Sequence, residues 1–243
     1  MDGNNLIQVL ITAVSYYFFS REFFKFSAEI RRKPISGRLH FACFFFVYLW
    51  FFIASCLELP LVVNWFIFLI LLGLEVRLAF SFDLLVSYGL ALFCVIMGLA
   101  LNVFFRSLVS ILLNIPVSTF DNALSSIKSF PIFLGFTAMV FLMYGLRRSH
   151  FSAQLERMMR YRKSLVFYTW TEVFIYLFLM IQLLAYSQSG NEMGIKTWGI
   201  KSAVFSIFVL VITIIYSLRV ASLHYYMEKQ HEIRSRLIQE KQD

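Results

Sequence analysis

His40 and Cys43 stand three residues apart. On a helix that spacing puts an imidazole beside a thiol, the minimum for a histidine-activated cysteine nucleophile. The pair sits where an apolar run begins and has no evident third member, so an interfacial histidine and a packed cysteine is the favoured reading. Cys43, Cys56 and Cys94 all lie inside or at the ends of apolar runs. Thiols there act as small hydrophobes, and no disulfide framework is expected. The sequence contains no metal-ligand cluster, phosphate loop or G-x-S-x-G elbow. No catalytic residue, metal or cofactor is therefore expected. His224 and His231 are one heptad apart, two helical turns, which is too far to chelate one ion. His231, set in KQHEIRSR, reads as part of a solvated helix face rather than as a phosphoacceptor.

Polar groups inside apolar runs carry more information, because burying a charge in hydrocarbon costs a few kcal/mol even on forgiving scales. Glu172 follows Lys163 by about nine residues, which places it roughly 13 Å into its segment, facing other helices. It is either a switch on a moving helix or a carboxyl paired with a neighbouring Thr, Tyr or Arg. Asn102 and Asn64 invite the same choice, with the structural role favoured more heavily.

These residues need a scaffold, and composition defines it. Of 243 residues, 60% are apolar, 19% aromatic and only 15% charged, with a mean hydropathy of +0.74. A compact water-soluble domain of this size cannot cover that much apolar surface. The chain reads as an all-α, polytopic membrane bundle, since period-2 alternation with frequent turns is absent. Seven spans are expected near Asn5–Ser20, Leu39–Cys56, Leu61–Leu74, Leu84–Phe105, Phe130–Leu146, Leu165–Tyr186 and Ser202–Ser222. The third is short, bounded by Pro60 and by Glu75 with Arg77, so a count of six stays open. Residues 1–222 then form the bundle and 223–243 a cytoplasmic helix.

Basic residues set the orientation, because short cytoplasmic loops retain Lys and Arg. Arg21, Lys25, Arg31, Arg32, Lys33 and Arg38 follow the first span. Arg147, Arg148, Arg157, Arg160, Arg162 and Lys163 follow the fifth. Both stretches are expected in the cytoplasm, with the N-terminus outside and the C-terminus inside. The opening MDGNNLIQ has no basic n-region and Arg21 follows the first apolar run, so no cleavable signal peptide is expected. The net charge of +8 follows from this bias and from attraction to anionic lipid, not from nucleic-acid binding.

Two segments are expected to face outside, Asn114–Ser129 and Ser187–Lys201. The first is preceded by FFRSLVSILL, an amphipathic stretch suited to the interface with Arg106 snorkelling. Arg106, Asp121, Lys128, Glu192 and Trp198 are accordingly the candidate ligand-binding residues. Neither segment is long enough to fold alone, so a small or peptide ligand would insert partly between the spans.

The last apolar run continues without Pro or Gly into LRVASLHYYMEKQHEIRSRLIQEKQD. Leu223, Tyr226, Gln230, Ile233, Leu237 and Glu240 follow steps of three and four, the a/d pattern of a two-stranded coiled coil. A homodimer seam is favoured over an amphipathic helix lying on the inner leaflet. Glu172, Leu223, Tyr226, Ile233 and Leu237 are the candidate relay residues.

Three segments carry a resemblance: LRRSHFSAQLERMMRYRKSLVFYTWTEVFIYLFLMIQLLAYSQ, VFSIFVLVITIIYSLRV and HYYMEKQHEIRSRLIQEKQD. In order and topology the chain resembles the membrane sensor region of the AgrC- and ComD-like peptide-pheromone receptor histidine kinases of Gram-positive bacteria. The resemblance implies a secreted peptide bound from outside, and an exit helix that relays the change to a cytoplasmic kinase region and its response regulator. The sequence departs from that family by ending before a phosphoacceptor or ATP-binding region, so no catalytic residue carries over. A transporter, an accessory membrane subunit and, more remotely, a peptide-processing membrane protease are the alternatives. Pro34, Pro60, Pro116 and Pro131 near run ends or in loops, with no clear repeat, count against the transporter.

Overall fold

The computed structural model describes residues 3–56, 59–115, 126–149, 151–188 and 195–239. Among these the chain is all-helical: α1 Gly3–Arg31, α2 Gly37–Cys56, α3 Leu61–Phe80, α4 Leu84–Leu113, α5 Ser126–Arg148, α6 Phe151–Met159, α7 Arg162–Gln188 and α8 Ile195–Gln239. Five helices contain segments long and apolar enough to cross a bilayer: Val62–Phe80, Leu84–Leu113, Phe130–Arg148, Arg162–Leu184 and Thr197–Ser235. These segments are consistent with a multi-pass membrane protein. The apolar stretch Gly37–Ile53 of α2 is shorter. α1 carries Arg21, Glu22, Lys25, Glu29 and Arg31 on its second half.

Several boundaries differ from those read in the sequence. The third apolar helix does not stop at Leu74 but runs through Glu75 and Arg77 to Phe80, where Ser81 takes a left-handed cap and donates its N–H to the Arg77 carbonyl at 2.9 Å. Glu75 is thus a buried residue of α3, and neither of its carboxyl oxygens has a hydrogen-bond partner among the described residues. α4 likewise continues past Phe105, so FFRSLVSILL is its last turns and not an interfacial segment. Asn114 ends it in the left-handed conformation that Asn tolerates well. The basic stretch after α5 is no open loop either, because it contains α6.

α4 is the axis of the bundle, buried along most of its length and packed on α3, α5, α7 and α8, with α8 its most extensive neighbour. The face of α8 toward the interior is made of small residues: Gly199, Ser202, Ser206, Thr213, Ser217 and Ala221 are all buried. Small side chains let membrane helices approach closely where no hydrophobic force separates protein from lipid. At Gly199 a Cβ would lie 2.7 Å from the Ile111 side chain. Gly73 makes the matching approach of α3 to α4, where a Cβ would meet the Tyr88 ring at 2.7 Å.

The other half of the core is aromatic. Tyr16 of α1 is surrounded by Phe44 and Phe51 of α2, Phe68 of α3 and Phe136 of α5, with ring centroids 5.8, 5.6, 6.3 and 5.3 Å away. Flat, stiff rings lock α1, α2, α3 and α5 together, whereas α8 lies on α4 through a smooth stripe.

Candidate functional site

Two polar arrangements bear on α8, one directly and one through α6, and each joins residues far apart in sequence. The first joins α7 to α8. Glu172 is fully buried, and Ser217 donates to its Oε1 at 3.3 Å. That uses the one proton of the Ser217 hydroxyl, so in the 3.0 Å bond between Tyr168 and Ser217 the phenol is the donor. The chain runs Tyr168 to Ser217 to Glu172. Beside it the Tyr216 hydroxyl donates to Thr171 Oγ1 at 3.0 Å, and the Tyr168 and Tyr216 rings stack in parallel at 5.9 Å. These bonds define one register of α8 against α7.

The second arrangement is an ionic clasp. Arg147, near the end of α5, spans two carboxylates of α1: Nη1 to Glu22 at 2.5 Å, and Nη2 and Nε to Glu29 at 2.6 and 2.8 Å. Glu22 and Glu29 are one heptad apart and present one face, which a forked guanidinium can bridge and an ammonium cannot. Glu29 also accepts from Ser152 of α6 at 3.1 Å. Arg32 and Arg160 converge on Glu156 at 3.0 and 2.9 Å.

α6 links this clasp to α8. Its Phe151, Leu155 and Met158 form one apolar face, all fully buried, with Phe151 stacked on Phe26 of α1 at 5.9 Å and near Phe93 of α4 at 5.7 Å. On its other side Arg157 lies 4.5 Å over the Tyr225 ring of α8. α6 therefore touches α1, α5, α7 and α8.

The clasp carries its own pH dependence. Burial alone would raise the Glu22 carboxyl, but bonds from Lys25 and Arg147 outweigh it and hold Glu22 below its ordinary value of 4.5. Glu156 is lowered in the same way, burial being overcome by Arg160 and Arg32. Carboxyls depressed in the folded state stabilise it above their unfolded pKa and lose that contribution as pH falls through the folded value. The thermal midpoint of the purified protein is thus expected to fall below about pH 4.5, and Glu22→Gln is expected to flatten that fall. A midpoint insensitive to acid would contradict the clasp.

The structure places the candidates read from sequence unevenly. Glu172 faces other helices, as expected, and finds its partners on α8. Leu223, Tyr226 and Ile233 lie toward the C-terminal end of α8 with 58, 64 and 50% exposure, an exposed apolar stripe. Leu237 lies on the same helix, its side chain outside the described residues. Arg106 is corrected: it lies within the continuous helix α4 at 3% exposure, buried among the packed helices and not on a separate interfacial segment. Trp198 is half-buried on α8 with Lys201 5.6 Å over its ring. Asp121 and Glu192 lie outside the described residues with the rest of 116–125 and 189–194 of the two expected outer segments, as does the side chain of Lys128. His40 Nε2 meets Ser20 Oγ of α1 at 3.1 Å, so the imidazole is engaged by a serine hydroxyl of a neighbouring helix. Asn64 accepts from the Trp50 indole at 3.1 Å, a structural role. His231 is exposed.

Sequence reading missed α6, the clasp acids and the Tyr168–Ser217 pair. The signal for α6 was present: Phe151, Leu155 and Met158 have i, i+4, i+7 spacing. No protein-family model, curated protein or solved structure matches the chain.

Proposed function

We propose that the chain is a membrane sensor module that binds an extracellular peptide and relays its state through α8 to a cytoplasmic histidine kinase region. α1 and α2 join the five apolar helices as spans, giving seven, with the N-terminus outside and the C-terminus in the cytoplasm. The observation that carries this reading is the continuity of α8. Its 45 residues make a rod of about 67 Å, against roughly 30 Å of hydrocarbon, so the helix leaves the membrane without a break. Its exposed stripe at Leu223, Tyr226 and Ile233 suits a homodimer seam.

The sensing logic follows from the packing. A peptide bound preferentially to one arrangement of the spans shifts α8 between registers by no more than its differential affinity for them. The knot at Ser217 and the clasp through α6 are the contacts such a shift must remake. An accessory-subunit role would use the same exit helix on a separate kinase.

The test fuses the chain at Asp243, in helical phase, to a histidine kinase catalytic region in inside-out and right-side-out vesicles. Autophosphorylation is expected to change when a peptide fraction of spent culture medium reaches the outer face only. A fusion whose kinase faces outside, or whose activity ignores that fraction in every helical phase, would overturn the reading.

A further inference from the structure

Glu75 of α3 belongs to neither the knot nor the clasp. It is 7% exposed, and both of its carboxyl oxygens are buried without a hydrogen-bond partner among the described residues. A buried carboxylate is ordinarily paired or bonded, because an isolated charge out of water is so costly that the group keeps its proton instead.

Packing places its surroundings. Gly73 turns toward α4, where a Cβ would meet the Tyr88 ring at 2.7 Å. Glu75 is two residues on, roughly 200° around the helix, so it turns away from Tyr88. The titratable groups within its electrostatic reach are the Tyr16 phenol of α1 and the Cys43 thiol of α2. Ionised, either would only add negative charge.

The cations on the elements packed against α3 are engaged or turned outward. Arg77, on α3 itself and another two residues around the helix, is exposed. On α1, Lys25 is paired with Glu22 at 2.6 Å, while Arg21 and Arg31 are exposed. On α2, His40 meets Ser20 and Arg38 is exposed. α7 carries Arg162 and Lys163 exposed in its first turn, with Tyr168 and Glu172 both bonded to Ser217. α4 contributes an exposed Asp83, with Tyr88 and Cys94, and no cation before Arg106. No charged side chain among the described residues compensates the Glu75 carboxyl. A metal ion would need further oxygen donors, and α1, α2 and α3 hold no other buried, unpartnered side-chain oxygen among the described residues. A proton needs only the carboxyl.

We infer that Glu75 is a proton-binding site, and that the bound proton holds the last turns of α3 against α1 and α2. Without it a carboxylate faces Tyr16 and Cys43 with no opposite charge, which favours parting of these helices and entry of water. The inference stands on α3 alone and does not require the sensing role.

Two readouts on the full chain in lipid nanodiscs test it. A membrane-permeant carbodiimide adds to protonated carboxyls, and at neutral pH it is expected to modify Glu75, as mapped by mass spectrometry. The second readout compares thermal midpoints of the wild type and Glu75→Gln from about pH 5 to about pH 8, where the clasp contributes equally to both. With Glu75 protonated in the folded chain and ionised in the unfolded one, folding takes up one proton, so stability is greatest at the acid end and falls as pH rises. The unfolding constant of the wild type should then grow about tenfold per pH unit relative to Glu75→Gln. Midpoints that run parallel through this window, or no adduct on Glu75, would overturn the proposal. So would a Glu75→Gln chain that fails to fold, because the amide reproduces the size and neutrality of the protonated acid.

Discussion

Alanine at Phe151 is expected to lower the unfolding free energy by about 3–5 kcal/mol, the range for deleting a fully buried Phe. Phe151 has no exposed surface and wedges α6 between Phe26 of α1 and Phe93 of α4. Both ring contacts are lost in the variant, and each aromatic pair adds about 0.5–1.5 kcal/mol to plain area burial. Because α6 has only nine residues, it cannot persist as a helix without that anchor. Release of α6 should therefore expose Arg157 and Arg160 to trypsin well below the melting temperature, whereas Phe151→Leu should keep the segment protected. Protection unchanged in Phe151→Ala would show that α6 is held by something other than its apolar face.

Replacing Arg147 by alanine comes second in magnitude. One guanidinium satisfies Glu22 and Glu29 together, so its removal leaves two carboxylates on one face of α1, Glu22 with Lys25 and Glu29 with Ser152 as remaining partners. Hydrogen bonds to charged groups contribute about 1.5–3 kcal/mol each when buried, and partial exposure here reduces the total to about 1–3 kcal/mol. Arg147→Lys should recover less than half, since an ammonium cannot bridge both acids. A double-mutant cycle of Arg147→Ala with Glu22→Gln checks the assignment. The two changes should be clearly non-additive, because they remove the same contact. Strict additivity would place the Arg147 effect elsewhere.

How much of this was legible before folding differs from residue to residue. The helical class and most spans are written in runs of apolar residues, which need no tertiary information. Glu172 stood out for the same reason inverted, as a lone charge inside such a run. Its partner did not, because Ser217 is one of several serines along α8 and only packing selects it. The clasp was illegible for a related reason: Glu22 and Arg147 are separated by 125 positions, and isolated charges near span ends look like ordinary loop charge. α6 was hidden by Arg157 and the arginines that flank it, which satisfy the rule for cytoplasmic loops whether or not the segment is helical. Arg106 shows the converse, where an amphipathic stretch suggested an interface but α4 gained more by continuing through it. The third apolar helix was read too short because Glu75 looked like a boundary, while in the fold it is interior.

These contacts give α8 two kinds of restraint. Its long smooth stripe on α4 permits small shifts, and the knot and the clasp choose among them. That division suits a helix whose position is the output of the bundle.

The most direct measurement is a disulfide cross-linking scan of residues 223–237 in native membranes, made in a background with Cys43, Cys56 and Cys94 replaced by alanine. The scan is repeated with Ser217→Ala, which removes the knot while leaving the tail untouched. Cross-linking maxima are expected at Leu223, Tyr226, Gln230, Ile233 and Leu237, and breaking the knot should change their strength or phase several positions away. A flat profile, or one identical with and without Ser217, would contradict the claim that α8 carries the state of the bundle out of the membrane.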